Sequence, residues 1–311
     1  VGSEMCIRDR FWAGVVPALV LLVGMCFVPE TPRWLLSKGR LKECRKVLQK
    51  IEPENTVNDL IGQMEVEIEK DRNSAVGWRY LMQPWLRTPL MIAVCIMFFQ
   101  QFVGINTVIY YSPKIFLMAG FESTLSAIWA SVGIGIVNVV FTVISLYLVD
   151  RIGRRKLYFI GLSGIAFSVL CLSACFIYAN QLGEIGRWLM VIFMFGYVAF
   201  FAISIGPLGW LVISEIFPQK VRGLGTSIGS LAVWIFNCIV SFTFFKIIDF
   251  FSIPGTEIVV GQTTSENPAG AFFLYGFIAV LGLVWGYLFL PETKGLSLEE
   301  IEQKWRKNRE C

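Results

Sequence analysis

Three carboxamide side chains, Gln100, Gln101 and Asn106, lie close together in an otherwise apolar stretch. Carboxamides supply hydrogen-bond donors and acceptors without net charge, and a polar group in hydrocarbon is costly unless it is paired or faces water. The cluster predicts a binding site for an uncharged ligand rich in hydroxyl groups, with interhelical hydrogen bonding as the structural alternative. Tyr110 and Tyr111 follow the cluster along the chain.

The spacing of these amides requires a break in their helix. On a straight helix Gln101 and Asn106 would lie about 140° apart, at about 100° per residue. A break near Gly104 would place both side chains on one cavity, as discontinuous helices do in transporters. We therefore expect the helix to be interrupted near Gly104.

Other apolar stretches also contain polar or aromatic candidates. Asn138 follows two glycines, and its amide fits either ligand binding or interhelical packing. Trp234 and Asn237 are three residues apart and share a helix face. A ring beside an amide suits a ligand with both C–H faces and hydroxyls, although packing alone also explains a buried tryptophan.

Gly206 and Pro207 interrupt a further apolar stretch, shortly before Trp210. Proline removes a helix hydrogen bond and glycine weakens the helix. We therefore expect a kink at this dipeptide. Such a kink acts either as a hinge or gate, or as a passive bend.

Charged residues gather where two apolar stretches end. We call them the rim cluster: Asp150, Arg151, Arg154, Arg155, Glu215 and Arg222. Opposite charges at helix ends can form ion pairs that hold one conformation and break in another. Anchoring by positive charge beside a membrane also places arginines at such positions, and the pattern alone leaves both interpretations open.

The composition excludes most soluble and catalytic classes. The chain has 311 residues, of which 55% are hydrophobic and 16% are charged, whereas soluble domains are about 25% charged. It has no histidine, and its 8 cysteines form no Cys-x-x-Cys pair, so we expect neither a metal site nor a cofactor. No nucleophile is paired with a base, and we expect no enzyme.

Apolar blocks long enough to cross a membrane recur along the chain. A spanning helix needs about 20 apolar residues. The qualifying blocks are 11–28, 89–111, 126–149, 157–179, 187–213, 225–246 and 271–290. The sequence therefore predicts an all-α, multi-pass integral membrane protein.

The distribution of positive charge predicts the orientation of these spans. Most of the 27 Lys and Arg residues fall in 29–88, in two short loops and in the tail from 291. The opposite side has only Lys114, Arg187 and Lys246. Because cytoplasmic loops are enriched in Lys and Arg, we expect a cytoplasmic C-terminus. The net charge of +4 follows from this topology and gives no support to nucleic-acid binding.

A repeated turn predicts how the chain is organised. Pro-Glu-Thr follows the first predicted span and also the last, and repeated halves are common in transporters. Residues 1–10 do not fit the pattern and suggest a non-native scar, with a short native arm as the alternative. The expected parts are the scar (1–10), the last helix of a preceding half (11–28), a cytoplasmic linker with short amphipathic helices or a solvated chain (29–88), a six-helix domain (89–290) and a cytoplasmic tail (291–311).

Four motifs in order carry a family resemblance. They are Pro-Glu-Thr-Pro-Arg-Trp at 29–34, Gln-Gln-Phe-x-Gly-Ile-Asn at 100–106, Asp-Arg-x-Gly-Arg-Arg at 150–155 and Pro-Glu-Thr-Lys-Gly at 291–295. Together they resemble the sugar porter family of the major facilitator superfamily, over nearly everything from residue 11 onward. The resemblance implies a twelve-helix transporter with two six-helix domains and alternating access. This chain would hold the last helix of the N-terminal half and the six-helix C-terminal domain.

The resemblance also implies roles for individual residues. Substrate binding would involve Gln100, Gln101, Asn106, Asn138, Trp210, Trp234 and Asn237. Gating would involve Tyr110, Tyr111, Gly206 and Pro207, and the rim cluster would be the cytoplasmic charge network. An acid that precedes the Gly-Pro kink in some members would fall at Ala202, so that contact is absent.

The expected function is secondary transport of a monosaccharide, a hexose or a pentose, with symport of a proton. Transport of another polyol such as inositol, or sugar sensing without transport, are the alternatives. The expected partners are the monosaccharide, a co-transported proton, the lipid bilayer and the missing N-terminal helices. We expect the protein in a bacterial inner membrane; the particular sugar and the coupling stay open.

Overall fold

The computed structural model describes residues 2–73, 83–121, 123–218, 221–252, 258–260, 263–292 and 294. The chain forms two compact units, Val1–Ala75 and Val76–Cys311. The helices are α1 (Gly2–Phe27), α2 (Pro32–Ser37), α3 (Leu41–Leu48), α4 (Glu54–Asn73), α5 (Arg87–Phe102), α6 (Ile105–Met118), α7 (Thr124–Ile152), α8 (Arg154–Ile177), α9 (Ala179–Ile203), α10 (Ile205–Glu215), α11 (Arg222–Phe250) and α12 (Ala269–Phe289). Most of the expected tail at 291–311 lies outside the described residues.

The first unit begins with a long helix. The helix α1 continues through Phe11, so the start predicted for the span at 11–28 is not a helix boundary. The apolar part of α1, Val15–Phe27, is shorter than the spans of the second unit. Its side chains from Val15 to Val28 are exposed within the unit.

Three further helices surround a small apolar core in the first unit. Helical spacing brings Cys44 and Leu48 onto one face of α3 and Val57 and Ile61 onto one face of α4. These four side chains pack together with Leu35 from α2. The polar stretch after the first predicted span therefore folds into amphipathic helices over 41–48 and 54–73.

The second unit is a bundle of apolar helices. Among the described residues, 6 helical segments are long and apolar enough to cross a membrane: Pro84–Met118, Thr124–Ile152, Arg154–Ile177, Ala179–Glu215, Arg222–Phe250 and Ala269–Phe289. They coincide with the last six spans predicted from the sequence. The helix α8 packs against α9 and α12, α9 also contacts α7, and α11 packs along α5.

The first of these segments is interrupted where the amide spacing requires it. The helix α5 ends at Phe102 and α6 begins at Ile105. Between them Gly104 has a φ of 86°, in the left-handed region that glycine adopts without steric cost. The predicted break near Gly104 is confirmed.

The fourth segment is also interrupted, but not at the predicted dipeptide. The backbone leaves helical geometry at Ser204, with φ −126° and ψ −101°, and α10 begins at Ile205. Gly206 and Pro207 therefore lie inside the first turn of α10. Proline is tolerated in a first turn because its missing N–H has no helical partner there, so the prediction of a kink at this dipeptide was wrong in position.

A short β-hairpin lies in the loop between α11 and α12. Strand β1 (Ile258–Val260) pairs antiparallel with β2 (Thr263–Ser265), with Ile258 opposite Ser265 and Val260 opposite Thr263. The hairpin was not among the elements predicted from the sequence. The β-branched residues on both sides of Gly261-Gln262 are a hairpin signal that could have indicated it.

Candidate functional site

The break at Gly104 places two amides at the end of α5 and a third in the first turn of α6. Nδ2 of Asn106 donates a hydrogen bond to Oε1 of Gln101 at 2.5 Å. Nε2 of Gln101 in turn lies 3.5 Å from Oε1 of Gln100. The three side chains, which a straight helix would separate, thus form one hydrogen-bonded row.

Gln100 connects this row to the other broken helix. Its side chain is 3% exposed, and its Nε2 donates to the carbonyl oxygens of Ile205 at 3.0 Å and Gly206 at 2.7 Å. Gly209 makes room for this contact, since a Cβ there would lie 2.9 Å from Nε2 of Gln100. The side-chain nitrogen of Gln100 is therefore bonded to the backbone at the start of α10.

The break before α10 has a second polar contact. In a continuous helix the carbonyl of Ile203 would accept from the backbone nitrogen of residue 207, but Pro207 has no N–H. The hydroxyl of Ser145, on α7, donates to this carbonyl at 2.8 Å. A serine on a neighbouring helix thus replaces the hydrogen bond that the proline removes.

These two breaks border an open cavity of about 330 Å³. It is lined by Gln100, Gln101, Ile105, Asn106, Asn138, Thr142, Phe201, Ala202, Gly206, Pro207 and Trp210. The lining carries amides, a hydroxyl and aromatic rings, and none of these residues is charged. Such a surface suits a neutral ligand that offers hydroxyls to the amides and C–H faces to the rings.

The cavity unites most of the candidate substrate residues and adds others. Five of the seven line it: Gln100, Gln101, Asn106, Asn138 and Trp210. Sequence reasoning missed Ile105, Thr142 and Phe201 as lining residues. Thr142 is one helical turn after Asn138 and donates its hydroxyl to the Asn138 carbonyl, so the i, i+4 spacing was a usable signal.

Two candidate residues on α11 lie outside this lining. Trp234 is 64% exposed, whereas Asn237 is 9% exposed. The amide of Asn237 lies 3.4 Å from the hydroxyl of Tyr110, and Ser241 donates to its oxygen at 3.0 Å. In this structure Asn237 therefore connects α11 to α6.

The two candidate gating tyrosines also face α11 from α6. The hydroxyl of Tyr111 lies 3.4 Å from the Ser241 carbonyl, and its ring stacks on Phe244 at 5.5 Å. Tyr110, which contacts Asn237, is 54% exposed. Tyr111 therefore fixes α6 to α11, while the ring of Tyr110 stays accessible.

Ion pairs connect three of the six members of the rim cluster. Arg154 pairs with Glu215 at 2.9 Å and with the more exposed Asp150 at 3.3 Å. Arg155 donates instead to the carbonyl of Tyr287 at 2.8 Å. Two buried nitrogens of Arg222 have no hydrogen-bond partner within the described part of the chain.

Glu292, which was not among the residues predicted for this cluster, contacts two of its members. Its carboxylate accepts the backbone N–H groups of Arg154 at 3.0 Å and Arg155 at 3.2 Å. These are free donors at the start of α8, where a negative charge is favourable. Lys294 donates to the carbonyl of Arg151 at 2.7 Å. The second Pro-Glu-Thr turn thus caps α8 from a distant part of the chain, and its repetition was the available signal.

Comparison with known proteins identifies similar chains. A family model described as "Sugar (and other) transporter" matches residues 8–305. The glucose transporter GlcP of Staphylococcus epidermidis is 36% identical over 292 residues, which cover 94% of this chain and 61% of that protein. The D-xylose-proton symporter of Escherichia coli (strain K12) is 34% identical over 298 residues, which cover 96% of this chain and 57% of that protein.

A solved structure has the same architecture. The proton:xylose symporter XylE bound to 6-bromo-6-deoxy-D-glucose superposes with a TM-score of 0.74 at 33% identity. The match covers 96% of this chain and 59% of that one. The chain thus spans less than two thirds of the length of the relatives that it matches.

Proposed function

The chain belongs to the sugar porter family of the major facilitator superfamily, and from this premise we propose that it is the C-terminal part of a secondary transporter for a monosaccharide. The family consists of multi-pass membrane transporters, and the chain is not an enzyme. In this proposal α1 is the last helix of an N-terminal half, and Pro84–Phe289 is one wall of the transport pathway.

The observation that carries the proposal is the uncharged cavity between the two broken helices. A monosaccharide is neutral and dense in hydroxyls, so it requires partners that both donate and accept. Gln101, Asn106 and Asn138 offer such groups, and Trp210 and Phe201 offer apolar surfaces. The known relatives that transport glucose or xylose agree with this chemistry.

Proton symport is the second part of the proposal. The residues that line the cavity are neutral, so the proton would bind outside this lining, on the half that precedes this chain. The symporters among the relatives support coupling, whereas the glucose transporter is named without it. A pH gradient imposed on proteoliposomes would drive sugar accumulation above the external concentration under symport, and uptake that stops at equal concentrations despite the gradient would argue against coupling.

We propose that the rim cluster and Glu292 hold one end of the six helices together in one state of the cycle. The pairs Arg154–Glu215 and Arg154–Asp150 join α8, α10 and α7. A movement between these helices would break them. The positive-inside pattern supports a cytoplasmic location for this end, in a bacterial inner membrane.

The direct test is sugar uptake by the complete transporter that contains this chain. Gln101→Ala should weaken monosaccharide affinity by about 1–3 kcal/mol, because it leaves ligand and Asn106 groups without a partner. Radiolabelled glucose, xylose, arabinose and inositol, supplied to proteoliposomes, would measure the effect and identify the substrate class.

A matched control is Gln181→Ala, which removes the same amide from an exposed position at the start of α9. Uptake by this variant should equal that of the unaltered protein. Unchanged affinity in Gln101→Ala would disprove the assignment of the site. Binding without net uptake would favour a sugar receptor.

A further inference from the structure

A buried tyrosine supplies a hydrogen bond to the first helix break. The carbonyl of Val103 would accept from Thr107 in a continuous helix, but the Thr107 N–H bonds to Gly104 instead, at 3.1 Å. The hydroxyl of Tyr197, on α9, donates to the Val103 carbonyl at 2.7 Å. Tyr197 is fully buried, where an unpaired carbonyl would be costly.

The second break is held by a donor from the opposite helix. Gln100, in the last turn of α5, donates to the carbonyls of Ile205 and Gly206 in α10. Tyr197 lies in α9, on the other side of that same break. Each broken segment therefore donates a side-chain hydrogen bond to a backbone carbonyl at or beside the break of the other segment.

Tyr197 is not among the residues that line the cavity. Its hydroxyl donates to the carbonyl of Val103, which directly precedes Gly104 and lies three residues before Asn106. The tyrosine therefore acts on the amide row through the backbone that carries it, and the ligand would not touch it.

We propose that Tyr197 is a positioning residue, which fixes the break at Val103–Gly104 against α9 so that the two helix breaks change conformation together. Removal of its hydroxyl leaves the Val103 carbonyl without a donor and removes the hydrogen bond between α9 and the segment that joins α5 to α6. The bonds from Gln100 to α10 start from the same end of α5, so a disturbance at the first break reaches the second. Its part in transport rests on the function proposed above.

The first experiment compares Tyr197→Phe with Tyr158→Phe. The control also removes a buried tyrosine hydrogen bond, because the hydroxyl of the fully buried Tyr158 donates to the Gly282 carbonyl at 3.0 Å, between α8 and α12 and away from either break. Unlike that of Val103, the Gly282 carbonyl keeps its own helical donor. Amide hydrogen exchange is measured by mass spectrometry on the complete protein in lipid nanodiscs, without sugar. Tyr197→Phe should raise exchange about fivefold, the equivalent of one hydrogen bond, in peptides over both 101–108 and 203–208.

Three results would overturn the proposal: no change at either break, a change at the first break alone, or the same changes in Tyr158→Phe. If Tyr197→Phe does not fold, Gln100→Met removes the reciprocal donor at nearly constant volume. That variant should raise exchange in both peptides, and a response limited to 203–208 would equally refute joint movement.

Sugar binding by the same variants separates this proposal from the proposed function. Equilibrium affinity for the transported monosaccharide should fall about fivefold in Tyr197→Phe and less than about twofold in Tyr158→Phe. Equal sugar affinities in the two variants would contradict the proposal that Tyr197 positions the sugar site. Absence of monosaccharide binding by the unaltered protein would reject the proposed function, whereas the exchange data would still decide whether the two breaks are joined.

Discussion

Both the backbone conformation and the packing at position 104 require a glycine. Its φ of 86° lies in the left-handed region, which a side chain makes costly. A Cβ at this position would also overlap the ring of Tyr275, which packs on the break from α12. The break therefore depends on the absence of a side chain both for its backbone conformation and for the approach of a third helix.

Gly104→Ala should destabilise the protein by about 2–4 kcal/mol, from backbone strain and overpacking together. It should also reduce sugar affinity, because Gln101 and Asn106 would no longer meet across the break. Thermal unfolding of the purified protein and a sugar-binding titration measure the two effects.

Gly135→Ala is the matched control for this change. Gly135 lies inside α7, and a Cβ there would meet nothing within 4 Å. Alanine in a helix interior is favoured over glycine by about 0.5–1 kcal/mol, so the control should be neutral or slightly more stable. Similar losses in both variants would show that the break does not need glycine in particular.

At the scale of elements, the neighbouring helix α7 stabilises the interruption of the fourth segment at Ser204. Pro207 leaves the Ile203 carbonyl without its usual donor, and Ser145 of α7 supplies one. Ser204 adds a local bond from its own hydroxyl to the Phe200 carbonyl at 2.6 Å. The end of α9 is thus stabilised from within and from the neighbouring helix.

Ser145→Ala should destabilise the protein by about 1–3 kcal/mol, the cost of leaving a buried carbonyl unpaired. Ser173→Ala removes a hydroxyl that donates to the Ala269 carbonyl at 2.8 Å, but that carbonyl keeps its own helical donor in α12. The control should therefore cost less. Chemical unfolding of the two variants in the same detergent compares them, and an equal cost would contradict the role assigned to Pro207.

The sequence was sufficient for some elements and not for others. Hydropathy located the spans of the second unit, since each is long and apolar, and the amide spacing located the break at Gly104. The break at Ser204 was predicted at Gly206-Pro207 instead. A proline removes the hydrogen bond to the carbonyl four residues earlier, at Ile203, and the donor that replaces it lies on another helix. Likewise, the periodicity that paired Trp234 with Asn237 could not show which of them the bundle buries.

At the scale of the whole molecule, charged groups lie at both ends of the six-helix bundle. Arg154, Glu215 and Glu292 meet at one end. Glu184 and Arg187 border a separate surface depression with Ser123 and Trp188, at the ends of α7 and α9 that lie a full span away from the first group. The segments rich in Lys and Arg lie at the end that contains Arg154. This distribution is the basis for assigning that end to the cytoplasmic side.

Cysteine labelling would test this orientation. In a cysteine-free background, Glu184→Cys should react with a membrane-impermeant maleimide added to intact cells, and Lys156→Cys should react only after permeabilisation. Both parent side chains are exposed in the structure, so accessibility within the protein does not distinguish them. The opposite pattern would place the C-terminal end outside the cell.

The amide row also has a direction. Backbone carbonyls only accept hydrogen bonds, so Gln100 must turn its nitrogen towards Ile205 and Gly206 and its oxygen towards Gln101. Gln101 then offers its own oxygen to Asn106, and no donor among the described residues bonds to the Asn106 oxygen. The backbone carbonyls of Ile205 and Gly206 at the start of α10 therefore set the orientation of all three amides, which reverses only if the three turn over together. A ligand at the Asn106 end could donate to this oxygen, so we expect the row to bind a free hydroxyl more tightly than the same oxygen capped by a methyl group.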